Sequence, residues 1–183
     1  MVTTAKVPAK WNLDPAHSSV EFAIKHMVVS TVRGRFSKFD ANINLDEARP
    51  ERSSVEAWID LASIDTREPN RDNHLRSPDF FDVAQYPTMH FKSRDVQPKG
   101  NGQYKVVGDL TVHGVTREIV LDASYAGAGK DPWGGYRAAG SLEGTVSRKD
   151  FGLTWNVALE AGGVLVGDTV KLYIDAELVK QAV

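Results

Sequence analysis

The chain contains no cysteine among its 183 residues. This absence excludes a disulfide framework, a thiolate metal site and a cysteine nucleophile. The histidines are few and scattered, with no H-E-x-x-H or comparable cluster: His17, His26, His74, His90 and His113. Because zinc needs three or four ligands, we expect no metal site, and nothing in the sequence indicates a cofactor.

Long runs of one charge or of apolar residues are also missing. The net charge is −2 and the pI about 6.2, so no nucleic-acid partner is expected. No segment approaches the roughly 18 apolar residues of a membrane-spanning helix, so no integral membrane span is expected. The first ten residues, MVTTAKVPAK, lack the apolar core of a signal peptide. We therefore expect a cytoplasmic protein, or a periplasmic one if a leader was removed.

The composition is that of one globular domain, with 42% hydrophobic and 25% charged residues. A chain of this length can bury a substantial core without disulfides. We expect a flexible N-terminus over residues 1–10 and a single β-barrel domain over residues 11–183.

Alternation of apolar and polar residues recurs along most of the chain, which is typical of half-buried strands. In one example, Phe39, Ala41, Ile43 and Leu45 alternate with polar residues. Eight long amphipathic strands predict an all-β fold, either an antiparallel up-and-down barrel or a sandwich. The eight predicted strands cover residues 19–25, 38–45, 54–61, 89–92, 104–112, 118–125, 136–146 and 170–178.

The interior of an eight-stranded barrel either fills with side chains or holds one ligand. The seventh predicted strand has small residues on its inward face, including Ala138, Gly140 and Gly144. Small inward residues leave volume unfilled and favour a cavity. Large residues opposite them could equally fill that volume, as in an ordinary packed core.

One segment between the third and fourth predicted strands does not alternate: NRDNHLRSPDFFDVAQYP, residues 70–87. Asp65 and Glu68 have the spacing of a capping box, and Pro69 suits a first helical turn. Ser77-Pro78 ends the predicted helix, because the residue before proline avoids helical torsions. The aromatic residues that follow need burial, so this segment is predicted to form a helical lid over one end of the barrel.

A catalytic role for the lid has weaker support. Asp72 and His74 are two residues apart, which does not align them on one helix face. No G-x-S-x-G element or comparable nucleophile setting is present. We therefore expect a protein that is not an enzyme, and keep an enzyme acting on a small or lipidic substrate at the lid as an alternative.

Several longer motifs resemble one protein family. They are WNLDPAHSSVEFAIKHM (11–27), VRGRFSKFD (32–40), SIDTREPNRDNHLRSPDFFDVAQYPTMHFKS (63–93), GDLTVHGVTREIVL (108–121) and SRKDFGL (147–153). In this order and spacing the chain resembles the YceI-like lipid-binding proteins. The resemblance implies an extended lipocalin-like barrel that binds a polyisoprenoid chain, such as a polyprenyl pyrophosphate or a quinone. It also implies a homodimer and placement of the helical segment at the barrel end.

The leading hypothesis is therefore a carrier that sequesters or transports a long-chain isoprenoid or related amphiphilic lipid. A further alternative is a stress-related interaction module whose barrel is simply packed. The candidate cavity-wall residues are Phe22, Ile24, Phe36, Met89, Phe91, Gly140, Leu142, Gly144 and Trp155. The candidate head-group residues, chosen because guanidinium groups match phosphate oxygens, are Arg33, Arg35, Arg71 and Arg148, together with His74. For the arginines of the lid, internal pairing is the competing interpretation, since five carboxylates accompany three arginines over residues 65–82.

The polar face of the third predicted strand carries Trp58 between Glu56 and Asp60. An outward tryptophan is a candidate anchor for a dimer interface. Coverage by a helix or a long loop is the alternative.

Overall fold

The computed structural model describes residues 9–160 and 162–181. Their strands are Ala9–Leu13 (β1), Ser19–His26 (β2), Ser30–Phe36 (β3), Phe39–Leu45 (β4), Ser54–Asp60 (β5), Ile64–Asp65 (β6), Thr88–Gly100 (β7), Gln103–Val112 (β8), Val115–Lys130 (β9), Tyr136–Ser147 (β10) and Val166–Lys180 (β11). The α-helix Pro69–Arg76 (α1) and the 3₁₀ helices Pro50–Arg52, Leu61–Ser63 and Arg148–Phe151 complete the described part.

Eight antiparallel strands close into a barrel in the order β1, β4, β5, β7, β8, β9, β10, β11. The ring closes where Trp11 of β1 pairs with Lys180 of β11. The long strand β11 continues beyond this seam and pairs with β2, and β3 and β6 follow β2. The predicted lipocalin-like barrel is confirmed, extended at one end by β2, β3 and β6.

The strands alternate as the sequence indicates. Along β8, Val106, Leu110 and Val112 are buried, while Lys105 and Gln103 are exposed. The inward residues of β7, β8 and β9 join those of the segment 151–153 in one apolar cluster. A second cluster, with Trp11 and Leu178, fills the end of the barrel near the β1–β11 seam.

Three strands and several strand ends were not predicted. β1 and β6 are short. β3 alternates, with Val32, Gly34 and Phe36 less exposed than Thr31, Arg33 and Arg35, but it was not predicted as a strand. β7 and β9 continue well beyond the predicted limits. Residues 1–8 of the expected flexible N-terminus lie outside the described residues. Ala9 and Lys10, however, belong to β1 and pair with Leu45 and Asn44 of β4.

The predicted helix between β5 and β7 is present, but its capping residue differs. Glu68 is the N-cap, and its carboxylate accepts hydrogen bonds from the backbone N–H groups of Asn70 (3.2 Å) and Arg71 (2.5 Å). Asp65 instead accepts from the backbone N–H of Arg67 at 2.9 Å, which begins the turn before the helix. Pro69 occupies the first turn and Ser77 follows the last, as expected.

Candidate functional site

The main cavity has a volume of about 440 Å³ and lies at the end of the barrel near α1. Its walls come from β2, β3, β7, β8, β10 and β11, together with the lid and the segment 148–155. Most of the lining side chains are apolar. The apolar lining residues include Phe22, Ile24, Val32, Phe36, Phe80, Phe81, Met89, Leu110, Val112, Phe151, Leu153, Trp155, Val170 and Leu172.

Five of the nine predicted wall residues line this cavity: Phe22, Ile24, Phe36, Met89 and Trp155. Phe91 does not, because it is buried in the packed cluster of β7, β8 and β9. Gly140 and Leu142 line a second cavity of about 220 Å³. Gly144 lines neither, since a Cβ at this position would point at Leu121 Cδ2, 2.6 Å away.

The second cavity lies further along the barrel, beyond Phe22 and Leu172 of the first. On β2 the lining passes from Phe22 to Val20, and on β11 from Leu172 to Ile174. Because these residues are two apart on the same strand face, the two cavities follow one another along the barrel. The barrel interior therefore contains unfilled volume in two successive cavities.

The glycines of β10 do not create this space in the way the sequence suggested. A register shift between β9 and β10 occurs at Ala139 and Gly140. A Cβ on Gly140 would lie 2.8 Å from the backbone oxygen of Ser124 on β9. Gly140 is thus required by the close approach of two strands at a bulge, in addition to lining the second cavity.

The lid is fixed over the cavity by an aromatic cluster. The ring centroid of His74 lies 5.1 Å from that of Phe80 and 4.7 Å from that of Trp155. Phe80 and Trp155 are themselves 5.2 Å apart. His74 Nε2 also shares a 2.8 Å hydrogen bond with Asp79 Oδ2. Asp72 and His74, the pair considered for acid–base chemistry, therefore have different partners.

Asp72 is buried and orients the start of the lid. Its Oδ1 accepts hydrogen bonds from the Thr66 backbone N–H at 2.9 Å and from the Thr66 hydroxyl at 2.5 Å. Thr66 in turn accepts from Arg71, through its hydroxyl from Nε at 2.7 Å and through its carbonyl from Nη2 at 2.8 Å. Arg71 lines the cavity, and its Nη1 donates to none of the described residues.

Arg148 also lines the cavity, but its guanidinium is hydrogen-bonded to backbone carbonyls. Its Nε donates to Gly167 O at 2.8 Å, and its Nη1 donates to Leu153 O at 2.6 Å and to Trp155 O at 2.9 Å. The residue is only 4% exposed, and this burial lowers the pKa of the guanidinium. Arg148 therefore ties the segment 151–155 to β11.

The remaining predicted head-group residues, Arg33 and Arg35, do not reach the cavity. Arg35 is exposed and donates to Asp65 Oδ2 from Nε and Nη2. The backbone N–H of Arg67, followed by Arg35, holds the pKa of Asp65 below its usual value. Arg33 lies on the outer face with its guanidinium 6.0 Å from the ring centre of Tyr173. Of the five head-group candidates, Arg71, His74 and Arg148 line the main cavity, whereas Arg33 and Arg35 do not.

Several lining residues were not predicted as wall residues. His26 continues the inward alternation of Phe22 and Ile24, so the alternation along β2 could have predicted that His26 lines the cavity. Asn70 and Leu75 lie on α1, whose facing surface cannot be read from strand alternation. Leu165 and Val166 come from the segment entering β11, where the sequence shows no regular pattern.

A charged group lies near the β1–β11 seam, away from the cavity. Arg137 Nη1 donates to Asp14 (2.7 Å) and Glu177 (2.6 Å), and its Nε donates to Asp131 (2.8 Å). Arg137, with a smaller contribution from His17, lowers the pKa of Asp14 to about 2. Asp14, His17 and Glu177 have ligand-type atoms within 4.8 Å of one another. Because the Arg137 cation already bonds both carboxylates of this group, the donor set is poorly suited to a metal ion.

These features define a class: a lipocalin-like antiparallel barrel whose interior cavity is covered by a short helical lid. The YceI-like domain family matches residues 11–178, so the chain belongs to the YceI-like family. A UPF0312 protein of Vibrio cholerae is 46% identical over 138 residues, covering 75% of this chain and 73% of that protein.

Solved structures agree with this assignment. The Campylobacter jejuni YCEI protein has a TM-score of 0.74 and 34% identity, over 86% of this chain and 90% of that one. A polyisoprenoid binding domain from Saccharophagus degradans has a TM-score of 0.68 over 94% of this chain and 99% of that one. Its 16% identity supports the fold alone. Within residues 9–160 and 162–181, none of the helices has the length and apolar character to cross a bilayer.

Proposed function

We propose that this chain binds a long-chain isoprenoid or related amphiphilic lipid inside the barrel, and sequesters or carries it without chemical change. The observation that carries the proposal is the apolar cavity of about 440 Å³ under the lid. Apolar chains gain about 0.8 kcal/mol for each CH₂ group removed from water. The five carbons of one isoprene unit would therefore contribute about 4 kcal/mol before the costs of ordering the chain.

The second cavity supports a long ligand rather than a compact one. It continues from the first along β2 and β11 and has a volume of about 220 Å³. Its lining includes small residues such as Ala57, Ala123 and Ala176. A tail that fills the first cavity would extend into the second, with its end near the β1–β11 seam.

The polar groups of the lid support a head group that offers hydrogen-bond acceptors. The N–H groups of Arg71 Nη1 donate to none of the described residues and can bond to a ligand. The guanidinium of Arg148, in contrast, already donates to backbone carbonyls. Asn70 and His74 line the same part of the cavity. A polyprenyl pyrophosphate and a quinone both present acceptor oxygens, so Arg71 is the residue we expect to contact either. Arg71→Gln should weaken the binding of a pyrophosphate far more than that of a quinone, because the substitution removes a charge as well as hydrogen bonds.

A matched pair of substitutions on β3 tests the cavity. Val32 lines it, whereas the adjacent Thr31 is exposed. Val32→Trp should give a folded protein that is purified with less lipid, because the indole occupies space that the ligand would use. Thr31→Trp adds the same side chain outside and should leave the lipid content unchanged. Lipid in organic extracts is quantified by mass spectrometry, with circular dichroism to check folding. Equal lipid in the two variants would contradict the proposed binding site.

The alternative of an enzyme at the lid rests on the hydrogen bond between His74 and Asp79 beside the cavity. The nearby hydroxyl of Ser77 donates to the backbone carbonyl of His74 at 2.7 Å. Among the described residues, the His74 ring has no hydroxyl partner that could act as a nucleophile. Turnover of a lipidic substrate that is abolished by His74→Ala, with binding retained, would favour the enzyme over the carrier.

A further inference from the structure

The hairpin that joins β2 to β3 ends in three consecutive exposed apolar side chains. Met27 is 50% exposed, Val28 66% and Val29 85%. Tight turns usually carry glycine, asparagine or aspartate, because the backbone there often has a positive φ. Met27 and Val28 have φ values of 50° and 64°, a region that a β-branched residue such as valine rarely adopts. The turn therefore carries apolar side chains at two positions whose positive φ would favour glycine, asparagine or aspartate.

A second hairpin, whose described residues are 157–160 and 162–165, lies beside this turn. The Met27 N–H donates to Leu165 O at 2.8 Å, and the Leu165 N–H donates to Val157 O at 2.9 Å. Val157 and Val164 are also exposed. Five of the seven large apolar side chains that are exposed in the described part of the chain thus belong to this pair of hairpins. We call them the apolar tip: Met27, Val28, Val29, Val157 and Val164.

The apolar tip adjoins the mouth of the main cavity. The residues that precede or follow it along the chain, Lys25, His26, Leu165 and Val166, all line that cavity. An apolar ligand that enters or leaves the cavity past these four residues would pass directly beside the tip.

The charges around the tip have one predominant sign. The β2–β3 hairpin, Ser19–Phe36, contains Lys25, Arg33 and Arg35 and one carboxylate, Glu21, which lies opposite Arg35 at the end of the hairpin far from the tip. Arg35 is paired with Asp65, whereas Lys25 forms no ion pair with any described residue. One carboxylate, Glu160, lies in the turn of the second hairpin. An apolar projection flanked by cations fits the interface of a bilayer that contains anionic lipids, where apolar groups insert and cations meet the head groups.

We infer that the apolar tip docks on the surface of an anionic lipid bilayer and presents the cavity mouth to it. The purpose of this contact rests on the proposed function, since a lipid ligand would be exchanged with the membrane. The contact itself does not depend on a bound ligand. Vesicle binding can therefore fail while lipid extraction succeeds, and the two claims are separable.

The test is flotation of the full chain with phosphatidylcholine vesicles, with and without phosphatidylglycerol. The wild type should float with the anionic vesicles and more weakly with the neutral ones. Val28→Asp with Val29→Asp should lower the partition coefficient about tenfold or more, because two apolar side chains no longer insert. Aspartate tolerates the left-handed backbone of position 28, so this variant should remain folded by circular dichroism.

Trp133 provides the matched control. It is also 85% exposed, in the β9–β10 hairpin beside Tyr136, and Tyr136 packs against Trp11 near the β1–β11 seam. Trp133→Ser should bind vesicles as the wild type does. Three results would overturn the inference: no flotation of the wild type, equal flotation of the double aspartate variant, or loss of flotation in Trp133→Ser. A dimer that the double aspartate variant converts to a monomer, with no vesicle binding, would instead identify the tip as a contact between copies of this chain.

Discussion

Gly140 on β10 offers a sharp test of why this strand contains small residues. A Cβ at this position would lie 2.8 Å from the backbone oxygen of Ser124, whereas ordinary contacts begin at 3.4 Å. The strands β9 and β10 would have to separate by about 0.6 Å at their bulge. Because this contact involves backbone, it cannot be relieved by rotating a side chain. Gly140→Ala should therefore destabilise the fold by about 1–3 kcal/mol.

For a chain of this size, 1 kcal/mol corresponds to about 2–4 °C in Tm, so the expected decrease is about 2–12 °C. Gly129→Ala on β9 is the matched control, because a Cβ there meets nothing within 4 Å. That control should change stability by no more than about 0.5 kcal/mol. Thermal unfolding is followed by circular dichroism, and bound lipid is measured on the same samples because a ligand raises the apparent Tm.

The opposite result would restore the interpretation drawn from the sequence, in which Gly140 makes room for a ligand. In that case Gly140→Ala would melt like the wild type, and Gly140→Leu would remain folded but carry less lipid. A folded Gly140→Leu variant with undiminished lipid would contradict both interpretations of this position.

Three further predictions concern charge, metal and assembly. Asp14 has a folded-state pKa of about 2, below its usual 3.8, so its stabilising contribution is present above about pH 3.8 and is lost as the pH falls towards 2. Arg137→Met should therefore move the midpoint of acid unfolding to higher pH, and an unchanged midpoint would contradict the role of Arg137. Elemental analysis after dialysis against a chelator should find no stoichiometric metal, and zinc or iron lost on changing His17 to Ala would show that the group with Asp14 and Glu177 is a metal site. Sedimentation should show a homodimer. If Trp58 is its anchor, Trp58→Ala should weaken the dimer, whereas a dimer unaffected by this change would exclude the anchor alone.

Much of the barrel could be predicted from the sequence because inward and outward residues alternate on long strands. The same rule identified Phe22, Ile24 and Met89 as wall residues. It failed for Phe91, since alternation indicates which face a residue occupies but not whether its neighbours leave a gap beside it. Gly144 illustrates the same limit, because Leu121 fills the space that its missing side chain leaves.

The polar part of the site was harder to predict, because hydrogen bonding depends on tertiary neighbours. The sequence suggested that the lid arginines pair with the many nearby carboxylates. Instead, Arg71 bonds to Thr66, and Arg76 donates to the carbonyls of Ala62 and Ile64. Likewise, Arg148 bonds to carbonyls that come from separate segments of the chain. Hydrogen bonds between distant segments cannot be predicted from a local sequence pattern.

If the barrel interior holds a long-chain lipid, mass spectrometry of organic extracts from the purified wild-type protein should detect it. We expect an isoprenoid or related long-chain amphiphile in a stoichiometric amount, released only when the protein is unfolded by the solvent. A protein that yields no lipid, and that binds none when a polyprenyl pyrophosphate or a long-chain quinone is added, would contradict it.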